Sequence, residues 1–120
     1  MTPLAPSEAD FGEIIRRRRL QLGYKLRQFA EMVDLSPSYL SLKERGEQPP
    51  PGEKTIERIT QILELDTDQL LAKAGKVSTE LRAIILERPE IMCPFLRLMK
   101  NKSTSEIKRI IIAVVKKVER

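Results

Sequence analysis

Three observations predict an all-α chain. Apolar residues recur at three- and four-residue spacing through most of the 120 positions. Helix-opening residues (Ser, Asp, Pro) and helix-closing glycines alternate along the chain. Aromatic residues make up only 4% against 41% hydrophobic residues overall, so the core is built from Ile, Leu and Val. The pattern divides into a flexible N-terminal tail at 1–9, a compact domain of five helices at 10–75 and a small helical extension at 76–120.

The tail carries Pro3 and Pro6 and little that packs. Asp10 and Glu13 have the spacing of a capping box for the first helix. That helix runs to about Leu22, with Phe11, Ile14, Ile15 and Leu22 on one face, and Gly23 ends it. A second helix spans about Lys25 to Val33 and turns Leu26, Phe29, Ala30 and Val33 inward. Asp34 and Leu35 form a turn. Ser36 caps the third helix and Pro37 takes its first position; Gly46 stops it after Arg45. The segment GEQPPPG at 46–52 is a stiff connector. The fourth helix, about Glu53 to Leu63, buries Ile56, Ile59 and Leu63. Asp66 and Gln69 open a short fifth helix that ends near Gly75, with Leu70 and Leu71 inward.

In the extension, Ser78 caps a helix carrying Leu81, Ile84 and Ile85. Residues 89–99 are apolar at helical spacing, and Pro94 either kinks one helix or opens a new turn. Met92, Phe95 and Met99 read as core, and Cys93 as inert packing among them. Ser103 and Glu106 make a second capping box, followed by the stripe Ile107, Ile110, Ile111, Val114, Val115 and Val118. That stripe is the candidate dimerisation surface; the alternative is that it packs back on residues 79–99.

Composition narrows the function. The chain has no His, one Cys and no Gly-rich phosphate loop, so neither catalysis nor a metal or cofactor is expected. No apolar run approaches the roughly 20 residues of a membrane span, and the first ten residues lack the order of a signal peptide. A cytoplasmic protein is expected. The net charge of +5 is split: residues 11–46 hold eight basic and four acidic side chains, and residues 77–120 hold ten and five. Basic surfaces draw a protein towards phosphates.

The stretch LRQFAEMVDLSPSYLSLKER at 26–45 carries the functional signal. Two short amphipathic helices meet at a tight turn, and small polar side chains open the second. A helix of that kind enters a DNA major groove N-terminus first. Ala30 falls where the helices cross. Asp34 falls where the turn needs a left-handed backbone, which Asp tolerates at modest cost. Leu35 and Leu40 fill the space between.

With IIRRRRLQLGY, ERG at 44–46 and IERITQILELDTDQLL, this window resembles the Xre/Cro-type helix-turn-helix regulators, the lambdoid repressor-like family, over residues 11–75. The resemblance implies a five-helix domain that binds double-stranded DNA through its third helix. It implies that Ser36 caps that helix near a phosphate and that Pro37, Ser38, Ser41 and Leu42 face base edges, with Tyr39 beside them in reach of a phosphate or a thymine methyl. Arg45, Lys25 and Arg27 would contact backbone, and Arg19 and Glu44 would form a structural pair. Lys43 departs from the family's apolar residue; its stem is expected to cover the core while its ammonium reaches out towards DNA. The function implied is a transcriptional repressor acting as a homodimer on an inverted repeat. The alternative is an antitoxin or adaptor that holds a protein partner through residues 77–120.

Overall fold

The computed structural model describes residues 6–119, with side chains from Asp10 onward. Among them every regular element is a helix: α1 (Pro6–Gln21), α2 (Leu26–Met32), α3 (Pro37–Glu44), α4 (Glu53–Leu63), α5 (Thr67–Lys73), α6 (Thr79–Glu87), α7 (Pro89–Lys100) and α8 (Thr104–Val118). The chain divides into two compact units, one ending at Ser78 and the other starting at Thr79.

α1 begins five residues earlier than the Asp10 capping box predicts. Pro6 sits at its first position, where a missing N–H costs nothing, so Asp10 lies inside the helix and does not cap it. The expected tail at 1–9 therefore overlaps α1 at 6–9, and its first five residues lie outside the described part. At the far end α1 stops at Gln21. Leu22 lies beyond it and is exposed, contrary to its predicted place in the core, because Gly23 takes φ +80° and turns the chain away.

The remaining elements of the first unit close as their local chemistry dictates. Ser36 Oγ accepts the Tyr39 N–H at 3.2 Å and Pro37 opens α3. Asp66 accepts the Gln69 N–H at 2.8 Å and opens α5. Arginines finish two of the helices: Arg18 Nε donates to the Leu63 carbonyl at 2.8 Å and Arg58 Nε to the Met32 carbonyl at 2.9 Å. Both cations meet carbonyls at helix C-termini, where the helix dipole favours them. Its bond to Leu63 makes Arg18 a tie between α1 and α4.

Phe11 and Ile15 of α1, Phe29, Ala30 and Val33 of the second helix region, and Leu40 of α3 meet Ile56, Ile59, Leu63, Leu70 and Leu71 in one core. Two polar features run through it. The Thr60 hydroxyl lies 2.8 Å from that of Thr67 and bonds the Glu57 carbonyl, so its burial leaves no group unpaired. Arg19 and Glu44, 7% and 5% exposed, form a two-pronged ion pair at 2.8 and 3.0 Å, and Arg19 also donates to the Tyr24 carbonyl at 2.9 Å. Beside that pair α1 comes against the end of α3 without a side chain between them. A Cβ at Gly12 would lie 2.6 Å from the Glu44 carbonyl oxygen and clash with the Lys43 carbonyl oxygen.

The second unit is a different kind of object. α6 packs on α7, and α7 continues unbroken through Pro94 despite the i→i−4 bond it lacks. α8 opens on a complete capping box. Ser103 Oγ accepts the Glu106 N–H at 3.2 Å, while Glu106 Oε1 accepts the Ser103 N–H at 3.3 Å. The Ser103 hydroxyl also donates to Glu106 Oε1 at 3.0 Å, and the two bonds that reach the carboxylate, the backbone one first, hold the Glu106 carboxyl below its ordinary range. Yet no residue described in this unit is buried. Phe95, expected in the core, is exposed; Met92, Cys93 and Met99 are half-buried.

Two outcomes follow for stability. Glu44→Ala strands the Arg19 charge in the core and costs about 3–5 kcal/mol in chemical denaturation. Gly12→Ala improves helix propensity by about 1 kcal/mol, but overpacking against the α3 backbone costs about 1–3 kcal/mol; a lowered midpoint with an unchanged m-value is expected.

Candidate nucleic-acid interface

α2, the turn and α3 supply the candidate surface. The turn needs a residue with positive φ, and Asp34 takes φ +59° there. The chain then reverses compactly, with the Leu35 N–H bonded to the Ala30 carbonyl at 2.9 Å. Leu40 is fully buried beneath α3, and Ala30 is fully buried at the contact between α2 and α3. α3 is thereby anchored along one side only.

Helical spacing divides α3 into three faces. Pro37, Leu40 and Glu44 follow the anchored side, with Leu40 and Glu44 buried. Ser38, Ser41, Leu42 and Arg45 fall at i, i+3, i+4 and i+7 and form the outer face; Ser38 and Arg45 are exposed, Ser41 and Leu42 half-buried. Tyr39 and Lys43 flank it. Ser36 and Pro37 lie exposed at the N-terminal end of α3, where helix N–H groups favour an anion.

The basic residues expected around this face separate into two groups. Lys25 and Arg27 are exposed at the start of α2, and Arg27, Ser36 and Pro37 line one shallow depression with Glu31, Asp34 and Leu35. Arg45 is exposed at the end of α3, within 3.4 Å of both the Glu47 carboxylate and the Ser41 carbonyl. Lys43 does not belong with them. It is 4% exposed, its ammonium donates to the Pro49 carbonyl and sits 4.2 Å from the centroid of the Tyr39 ring. The expectation that it reaches out towards DNA is corrected: a carbonyl within the 46–52 connector captures the charge first.

Sequence reasoning passed over Gly12 as an isolated glycine. Its signal was available, since a glycine inside a helical run has a packing reason more often than a turn reason. The Pro49 carbonyl as a lysine partner had no sequence signal, because a backbone acceptor in a loop carries no residue type.

The serines offer hydroxyls that serve either donor or acceptor edges, and Leu42 offers an apolar patch of the kind that meets a thymine methyl. Among the described residues no three acidic, Cys or His side chains cluster as metal ligands, and no helix is long and apolar enough to cross a membrane.

A family model described as a helix-turn-helix domain matches residues 10–73. Comparison with curated proteins finds no match. Among solved structures the chain is similar to the biofilm master regulator SinR in complex with DNA, at 33% identity over 51% of this chain and 97% of that one, TM-score 0.47. The DNA-binding domain of SinR from Bacillus subtilis gives 33% identity over 51% of this chain and 88% of that one, TM-score 0.47. The clp gene regulator ClgR from Corynebacterium glutamicum gives 22% identity over 83% of this chain and 100% of that one, TM-score 0.51, a likeness of fold. With more than half of its length matched, the chain belongs to the helix-turn-helix domain family.

Proposed function

We propose that the protein is a sequence-specific repressor that binds an inverted-repeat operator as a homodimer. α3 enters the major groove, and Ser38, Ser41 and Leu42 read base edges. Lys25, Arg27 and Arg45 contact phosphates. Ser36 holds the N-terminus of α3 open towards the backbone. The observation that carries this reading is the one-sided anchoring of α3, which leaves a face of small polar and apolar side chains directed outward. Occlusion of a promoter is the simplest consequence of such binding.

The homodimer rests on the second unit. Forty-two residues are too few to build a core alone, and here none of the described ones is buried. Large apolar side chains from Leu81 to Val118 stand 40–77% exposed, including Ile111, Val114, Val115 and Val118 of the predicted stripe; Ile107 and Ile110 are half-buried. A second copy brings the same surface and buries both. The same exposure also supports a second reading, an antitoxin or adaptor whose residues 77–120 hold a different protein, and the oligomeric state separates the two.

Selection from a random duplex library with the full-length protein is expected to enrich an inverted repeat with half-sites about one helical turn, ~34 Å, apart. Recovery of unenriched DNA would sink the proposal. Replacing Lys25 or Arg27 by Gln is expected to weaken binding to all sequences and lower the salt slope by about one each.

Sedimentation equilibrium is expected to show a dimer. Val114→Asp, on the exposed stripe, is expected to give monomers and to lower operator affinity by about 10²–10⁴, the loss of one effective-concentration term. A monomeric wild-type chain would favour the protein-partner reading.

A further inference from the structure

Among the described residues of the first unit, Lys43 is one of four buried polar or charged ones, with Arg19, Glu44 and Thr60. The other three tie scaffold to scaffold. Lys43 alone links α3 both to the 46–52 connector, through the Pro49 carbonyl, and to a solvent-facing aromatic, through the ring of Tyr39 four residues before it. Tyr39 is 42% exposed even so. Its backbone is also held, since its N–H is the one that Ser36 Oγ accepts. An exposed tyrosine normally samples several rotamers, and binding must freeze them. Here an ammonium held against the ring has already chosen one.

Tyr39 does not lie on the outer face of Ser38, Ser41, Leu42 and Arg45; it lies on the flank beside them. When α3 sits in a major groove, its flanks run beside the sugar–phosphate walls. A phenol there is placed to donate to a phosphate oxygen. We propose that Lys43 is a positioning residue for DNA binding: it clamps Tyr39 in the orientation that brings the phenol hydroxyl to a backbone phosphate. The charge acts through the tyrosine and touches no DNA itself. This rests on the reading of α3 as the groove-binding helix.

The clamp has a signature in the free protein. With the ammonium over the Tyr39 ring, the adjoining Lys43 ε-methylene protons are expected to be shifted upfield by its ring current, and Tyr39→Leu is expected to abolish that shift. In binding, Lys43→Met keeps the buried stem and removes the charge. Because an apolar side chain replaces a buried cation, its melting temperature is expected to match or exceed wild type, while affinity for the selected operator falls about tenfold, the scale of a desolvated cation–π contact. Lys43→Arg, which also donates and stacks, is expected to restore most of that affinity. Tyr39→Phe, a change on an exposed side chain, is expected to weaken the wild type but not Lys43→Met. Operators carrying one neutral methylphosphonate at a time are expected to reveal a single position to which wild type responds and Tyr39→Phe does not. The inference is overturned if the upfield shift is missing, if Lys43→Met binds as tightly as wild type, or if the two substitutions are additive. Failure of the wild-type chain to bind any duplex would instead overturn the groove reading on which this one stands.

Discussion

The Arg19–Glu44 fork is the constraint on which the first unit depends. A guanidinium and a carboxylate in a core are costly to desolvate, and only near-complete pairing makes their burial tolerable. Here two prongs and a third bond to the Tyr24 carbonyl supply it. The geometry ties the body of α1, the turn after it and the last residue of α3 to one point. The bare backbone contact at Gly12 lies next to that point, so α3 is set at its end by charge geometry and by steric contact together. Its anchored side is filled by Leu40, and its outer face is left free.

Much of this arrangement was legible in the sequence where local chemistry decides it. Ser36 and Pro37 before an apolar spacing, the positive φ at Asp34, and the Ser103–Glu106 box all depend on residues within four positions of each other. The Asp34 backbone and both caps are found as read. The errors occur where two local signals compete or where the deciding atom is distant. Pro6 and Asp10 both open helices, and the earlier one prevails because extending a helix already nucleated is cheap. Leu22 continues the apolar period past the point where the helix has ended. Lys43 is the instructive error. Its place, three residues after buried Leu40, marks it as inward by spacing, but its charge suggests the opposite. Spacing decides the outcome because a loop carbonyl accepts the charge.

The two units solve the problem of burial differently. The first has enough length to close a core of twelve apolar residues and finishes two of its helix ends with arginines. The second has a well-capped α8 but no buried residue among those described. Local helix signals are therefore as clear in the second unit as in the first. What differs is the tertiary term. Helical periodicity reports which face is apolar, and does not report whether that face is covered by the same chain. Phe95 shows the difference: its spacing places it on an apolar face, yet that face is open in a single chain.

That open surface also bears on how long a molecule survives. Chaperones and proteases sort chains by exposed apolar side chains and by segments that open readily. A copy whose residues 79–120 have no partner displays both features, although its first unit is fully folded. Whatever covers that surface would remove both features and lengthen the lifetime of the chain.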